Sequence, residues 1–465
     1  MAAPATQYDQ FIAGKHAAAP AGGFDVADGD LPANLFAWQR RVVRWALRKG
    51  RAALFLDTGL GKTLQSLAWG EAVVRHTGRP VLYLCPLAVG PQTVREAAKF
   101  GVGGVSLAAS AADVTGPGVY VTNYHKIHKF DATAFGGVIL GEASILKEHT
   151  GKFRSELCRL FAGTPYRLTE TATPSPNDVE ELGNQAEFLG VCTRVEMLAT
   201  YFNHNSGDTS EWELKGHAEG DFWRWVASWA MVLRTPADIG HDATGYALPP
   251  LTVHEHVVGS PAQAGRLVAV PAETLTEQRD ARRKTMAERV AAVAKLANES
   301  GEQWIVWCDL NAEGDALEKA IPDAIQIAGG DTDDDKVSRM EGFVAGTHRV
   351  VVTKPSMFGF GLNLQNCCRM AFVGLTHSFE SYYQAVRRCW RFGQTRPVEV
   401  HVATSDIESG VYENVKRKQR EHDALFARMV GFTAAVNLAD LSGGTAPERP
   451  YNPTVPMELP HWLGA

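Results

Sequence analysis

No C-x-x-C pair occurs among the seven cysteines, at 85, 158, 192, 308, 367, 368 and 389. Neither a thiolate zinc site nor a disulfide framework is expected, and the cysteines read as reduced, buried thiols. An apolar run of the roughly 18 to 20 residues needed for a membrane span is also missing. The first residues, Met1-Ala2-Ala3-Pro4, lack the basic stretch and apolar core of a leader. A soluble intracellular protein without a membrane partner is expected. Positive charge is not in excess: 46 Lys and Arg face 52 Asp and Glu, for a net charge of -6. A nucleic-acid partner would therefore have to be held by local patches. No internal repeat of solenoid period is visible.

What is present is ordinary globular composition, 45% hydrophobic and 21% charged over 465 residues. That length suits two domains of about 150 to 200 residues with connections. Residues 1 to 30, rich in Ala, Gly, Pro and Asp, read as a mobile arm. From Leu31 short apolar strands, at 52 to 56, 81 to 85, 118 to 122, 137 to 140 and 167 to 171, are interleaved with helices at 63 to 76 and 91 to 100. This rhythm predicts a parallel, helix-covered sheet over 31 to 190, with ligands gathering where the strands end.

Residues 191 to 250 break the rhythm. Phe222, Trp225, Val226, Trp229 and Leu233 share one helical face, which makes either a packed helix core or a base-stacking surface. This helical insertion ends at Leu248-Pro249-Pro250, which reads as a hinge. A second alternating unit covers 251 to 430. Its charged helix at 272 to 299 precedes strands at 304 to 308, 324 to 327, 349 to 353, 370 to 374 and 398 to 402, with helices at 312 to 320 and 336 to 345. The acidic cluster Asp331 to Asp335 reads as a cap for the latter helix rather than a metal site. Residues 431 to 465 read as a loose tail.

The strongest local signal is Leu54-Phe55-Leu56-Asp57-Thr58-Gly59-Leu60-Gly61-Lys62-Thr63. A strand, a glycine-bracketed turn and a helix follow in the order of a phosphate-binding loop, in its shorter GxGKT form, since Leu56 stands where the strict pattern has Gly. Backbone N–H groups there point at phosphates, the lysine supplies a cation and the threonine hydroxyl is a ligand for Mg2+. Just before it, Arg40, Arg41, Arg44, Arg48, Lys49 and Arg51 form either a phosphate-binding patch or the solvated face of an amphipathic helix. In the second unit, Gln384, Arg388 and Arg391 fall at i, i+4 and i+7 of a helix. Two arginines on one face either reach an anion, as arginine fingers do, or lie along the surface.

Taken in order, Phe36 to Arg40, Asp57 to Thr63, Leu84 to Leu87, Thr122 to Tyr124, Gly141 to Ser144, Thr171 to Pro174, Gly359 to Gln365 and Gln384 to Gln394 resemble the motif series of helicase superfamily two. The last two are similar to its Swi/Snf branch, and the compact size to its phage and prophage members. The resemblance covers about residues 31 to 425 and implies two RecA-like lobes that use ATP and Mg2+ to move on double-stranded DNA. It implies a place in a bacterial or phage-infected cell, at the nucleoid, with replication or recombination proteins as partners. By it, Thr58, Gly59, Leu60, Gly61, Lys62 and Thr63 hold the phosphates and metal, and Gln39 reads the adenine. Glu142 polarises water, Arg388 and Arg391 reach across the cleft, Gly361 lines the lobe interface, and Gln384 completes the last motif. Pro86, Leu87, Thr122 and Asn123 grip the phosphodiester backbone.

Two positions depart from that pattern. The family strand ends in Asp-Glu where this chain has Gly141-Glu142, so the carboxylate that steadies the Mg2+ shell is missing. Glu170 stands in a strand that is usually apolar; it either replaces that carboxylate from the neighbouring strand or faces a helix layer and meets a basic partner. The expected activity is DNA-stimulated ATP hydrolysis with translocation on duplex DNA. The alternatives are an ATP-responsive DNA clamp with impaired hydrolysis and an RNA helicase.

Overall fold

The computed structural model describes residues 22 to 441, apart from 88, 148–150, 177, 205–211, 260–274, 356–363 and 407–408. The first lobe runs through α1 (Ala37–Lys49), β1 (Arg51–Leu56), α2 (Lys62–Thr77), β2 (Val81–Cys85), α3 (Gly90–Lys99), β3 (Val105–Leu107), β4 (Val119–Asn123), β5 (Gly137–Gly141), α4 (Lys152–Leu160), β6 (Tyr166–Glu170), α5 (Leu182–Leu189), α6 (Arg194–Tyr201), β7 (Phe202–His204), β8 (Trp212–Leu214), α7 (Glu219–Trp229) and β9 (Ala230–Leu233). Seven of these strands form one sheet in the order β3-β4-β2-β5-β6-β1-β9, every pairing parallel. Strands β2, β4, β5 and β6 are buried along their whole length, as expected of a sheet covered by helices on both faces.

The second lobe contains β10 (Leu251–Val258), α8 (Leu275–Lys284), α9 (Met286–Asn298), β11 (Trp304–Trp307), α10 (Asn311–Ala320), β12 (Ala324–Ile327), α11 (Asp333–Val344), β13 (Val350–Thr353), β14 (Arg369–Phe372), α12 (Phe379–Cys389) and β15 (Val398–Ser405). Its parallel sheet has the order β10-β15-β14-β11-β13-β12. Two parallel-sheet α/β lobes, the fold class expected, are therefore present. Thr332 caps α11 by accepting from the Asp335 amide, and Asp331 accepts from Ala328 N and pairs with Arg339, so the acidic cluster is used in turns and caps.

Several boundaries differ from those expected. The Trp-rich segment does not stand apart: the buried run Ala230-Met231-Val232-Leu233 pairs with β1 and extends the first sheet. Phe222, Trp223 and Trp229 are fully buried, and Trp229 stands edge-on to Phe55 of β1. Their role is core packing, not base stacking. At the start, the amides of Gly22, Gly23 and Phe24 donate to carbonyls of the last turn of α1, and the Phe24 ring stacks on His76 at 3.8 Å, so the chain is docked from residue 22 onward.

The expected tail is helical as far as Leu441. Helix α13 (Ser409–Leu441) leaves the second lobe and lays Phe426, Met429, Thr433, Asn437 and Leu441 against the first. Lys49 and Trp45 of α1 both meet Asp440, and Arg428 pairs with Glu219 of α7. By length and composition one stretch of α13 reaches what a membrane span needs, contrary to expectation. Of that stretch 28% is buried, Met429, Thr433, Asn437 and Leu441 among it.

Candidate functional site

The C-terminal ends of β1, β2, β5 and β6 converge on one edge of the first sheet, and α12 of the second lobe faces them. After β1 the chain turns through Asp57 to Gly61, with Gly59 and Gly61 at φ +89° and +75°. A Cβ at Gly59 would lie 2.9 Å from Phe392 N, so only glycine lets the second lobe approach this closely. Helix α2 starts at Lys62 with the left-handed Gly61 as its cap residue and no side-chain cap, which leaves its first amides for an anion. Lys62 Nζ folds back onto the carbonyls of Leu56 (2.9 Å) and Asp57 (3.3 Å). Burial lowers its pKa, opposed by Glu142, Glu170 and Asp57. Thr63 follows in the first turn of α2.

Glu142 follows β5 in the left-handed region at φ 57°, alone among the described non-glycine residues. A bulky residue held there stores strain, a feature concentrated at functional sites. Burial raises its pKa, opposed by the nearby charges of Lys62 and Arg388. The loop after it is held by the second lobe: Ser144 Oγ donates to Glu380 at 2.5 Å and Lys147 pairs with the same carboxylate at 2.9 Å. Glu142, Pro86, Lys147, Glu380 and Gln384 line a cavity of about 520 Å3.

Gly141 and Glu170 are direct partners in the β5–β6 register. A Cβ at Gly141 would lie 2.7 Å from Tyr83 Cε2 and 3.3 Å from Glu170 Oε1. The space of the missing side chain is thus occupied by Tyr83 and the Glu170 carboxylate. Ser66 of α2 donates to one oxygen of Glu170 and Tyr83 to the other. Its hydrogen-bond partners are hydroxyls rather than the basic group that was one expectation. Burial raises its pKa, against those hydrogen bonds and the pull of Lys62.

The second lobe delivers three arginines. Arg387 Nη2 lies 2.5 Å from Asp57, its Nε donates to Thr58 Oγ1, and Tyr383 OH donates to Asp57 at 2.9 Å. Against the cost of burial, these groups hold the Asp57 pKa below the usual carboxylate range. Arg388 is partly buried, with Glu142 as its leading electrostatic partner. Arg391 Nε is buried without a hydrogen-bond partner, and burial together with Arg388 pushes its pKa down to about 10. Arg387, Arg388 and Arg391 repel one another at close quarters, so this cluster is suited to receive an anion. Arg387 was not picked from the sequence, although Tyr383 and Arg387 at i, i+4 just ahead of Arg388 were a signal.

Other expected residues sit differently. Gln39 is 4% exposed; its Nε2 donates to Leu60 O of the loop at 3.0 Å and its Oε1 accepts from Phe36 N at the start of α1, so the amide ties the loop to that helix end. Asp57, Thr58, Leu60, Tyr246, Arg387 and Phe392 line a second cavity, of about 410 Å3. Thr122 and Asn123 are buried at the end of β4, beyond the reach of a polymer in solution. Leu87 is 66% exposed after β2, beside Pro86. Gly361 lies outside the described residues. The basic segment is spent internally: in α1 Arg44 pairs with Asp25 and Asp28 and Arg40 donates to Ala33 O, and at the start of β1 Arg51 donates to Pro165 O.

Residues 288–393 match the family model of the helicase conserved C-terminal domain. That span holds α12 and its arginines. Among solved structures, the SWI2/SNF2 ATPase core of Sulfolobus solfataricus in complex with dsDNA is similar at 16% identity and a TM-score of 0.42, covering 90% of this chain and 98% of that one. No curated protein matches the chain.

Proposed function

We propose that the chain is an ATP-hydrolysing motor of the Swi/Snf type that moves along double-stranded DNA. The observation that carries this reading is the meeting of Arg387, Arg388 and Arg391 of the second lobe with Asp57, Lys62 and Glu142 of the first. The uncapped start of α2 and the unpartnered Arg391 Nε fit a triphosphate. Lys62 would leave its two carbonyls to bind phosphate, and Thr63 would hold the metal. Bound Mg2+ supplies neutralisation of charge on the transferring phosphate. Glu142 would accept a hydrogen bond from the attacking water, while Arg388 and Arg391 stabilise charge from the other side. Because both cations belong to the second lobe, hydrolysis and lobe closure are one event, and reopening lets the lobes step along a backbone.

The carboxylate absent at Gly141 is, in this proposal, supplied by Glu170, whose oxygen lies beside the vacated position and whose charge acts on Lys62. A second reading rests on the same residues. If Glu170 stays bound to Ser66 and Tyr83, the metal is poorly held and the chain is an ATP-responsive clamp on DNA. Such a protein would work in the cytoplasm, at the nucleoid, with replication or recombination proteins. Phosphate release measured in parallel with duplex DNA, single-stranded DNA and RNA tests the proposal. Stimulation by duplex DNA is expected. Absence of stimulation leaves the clamp, and stimulation by RNA alone replaces the motor with an RNA helicase.

A further inference from the structure

Away from the cleft, three histidines and a glutamate gather on one face of the second sheet. They come together only because β10 pairs with β15: His254 lies opposite His401, His256 two residues further along β10, and Glu399 two residues before His401. One candidate ligand atom from each of His254, Glu399 and His401 falls within 4.8 Å of the others. The His401 ring stacks on His254 at 4.8 Å between centroids and on His256 at 5.2 Å.

The hydrogen bonding of His401 is incomplete in an informative way. Its Nδ1 pairs with His256 Nε2 at 3.0 Å, while its Nε2 is buried without a hydrogen-bond partner, 3.8 Å from Glu399 Oε2. His401 as a whole is 7% exposed. When Nδ1–H donates to His256, Nε2 is left as a bare lone pair, the arrangement that a ligating histidine takes when its other nitrogen is anchored by an outer group. Burial and the neighbouring His254, His256 and Arg369 push its pKa down to about 4, so the ring is neutral at pH 7. Arg369 holds Glu399 Oε2 at 2.6 Å, and its own charge is balanced by Glu302.

We propose that His254, Glu399 and His401 form a binding site for a divalent transition metal of the zinc class, with His256 as the outer partner that orients His401. Imidazole and carboxylate suit such ions, and tetrahedral ligands stand ~3.3 Å apart, a separation reached from 4.8 Å by side-chain rotation. Cysteine spacing, on which the expectation of no zinc rested, is silent about this site. Strand β10 is the edge strand, reached directly from Leu248-Pro249-Pro250. A metal bridging β10 and β15 would staple the first element after the crossover to the rest of the lobe.

The test is titration of the full chain, stripped by a chelator, with Co2+, followed by its visible absorption and by displacement with Zn2+. One equivalent per chain is expected. His254→Ala and Glu399→Gln should each abolish stoichiometric uptake, and His256→Ala should lower affinity about 10- to 100-fold. No stoichiometric uptake by the unsubstituted chain, or uptake unchanged in both ligand variants, overturns the proposal.

Discussion

Arg387 of the second lobe lies 2.5 Å from Asp57 of the glycine loop, and Tyr383 donates to the same carboxylate. The two lobes are thus latched through the loop that starts α2. Breaking a buried pair by deleting one partner leaves an uncompensated charge, at a cost of about 3–5 kcal/mol. Arg387→Ala is therefore expected to open the nucleotide-free protein, read as a longer distance between fluorophores on the two lobes. An unchanged distance would mean that the latch does not hold the lobes.

Gly141 and Glu170 are expected to behave as one unit. Gly141→Asp alone would press on Tyr83 and set a second carboxylate beside Glu170, with an overpacking cost of about 1–3 kcal/mol. Thermal unfolding should show Gly141→Asp destabilised and Gly141→Asp with Glu170→Leu largely restored. In Glu170→Ala the affinity for Mg2+ in the nucleotide complex should fall; unchanged affinity would return Glu170 to a purely structural role.

Two buried histidines set the acid side of stability. Burial pushes the pKa of His401, and that of His422 against the pull of Asp57, down to about 4 from an ordinary value near 6.5. Both are neutral in the folded chain and take protons more readily when it unfolds. The stability they contribute is present above about pH 6.5 and lost as pH falls toward 4. Unfolding midpoints measured in chelator should drop across that window, and less steeply in His401→Asn.

The helix α1 arginines should not contribute to DNA binding. Arg44 is already paired with Asp25 and Asp28. The slope of DNA affinity against salt is expected to be unchanged in Arg44→Ala, whereas a phosphate contact would lower it by about one unit.

Much of the frame was legible in advance. The strands at 81–85 and 137–140 stand where the apolar runs placed them, because fully buried parallel strands read as short apolar stretches between turns. Edge strand β12 was legible as well, but edge strands β10 and β9 were not. Strand β10 mixes His and Glu into a half-exposed edge, and β9 hides at the end of an aromatic helix whose periodicity dominates the local signal. Residues 431 to 441 read as tail because Gly431 and the Gly- and Pro-rich run after Leu441 mask the helical signal, while packing on the first lobe carries α13 on to Leu441. At the site, Lys62, Glu142, Arg388 and Arg391 are brought together, but Thr122 and Asn123 are buried and Arg387 was missed. Motif spacing tells which residues lie on a shared face; which of two adjacent arginines meets Asp57 depends on how the lobes dock.

The most direct test of the motor reading is displacement of a third strand from a DNA triplex, followed with time after ATP is added. Directional motion on the duplex predicts ATP-dependent release, with duplex-stimulated phosphate release, and loss of both in Arg388→Ala and Glu142→Gln. A protein that binds the triplex and ATP yet releases no strand and no additional phosphate would contradict it.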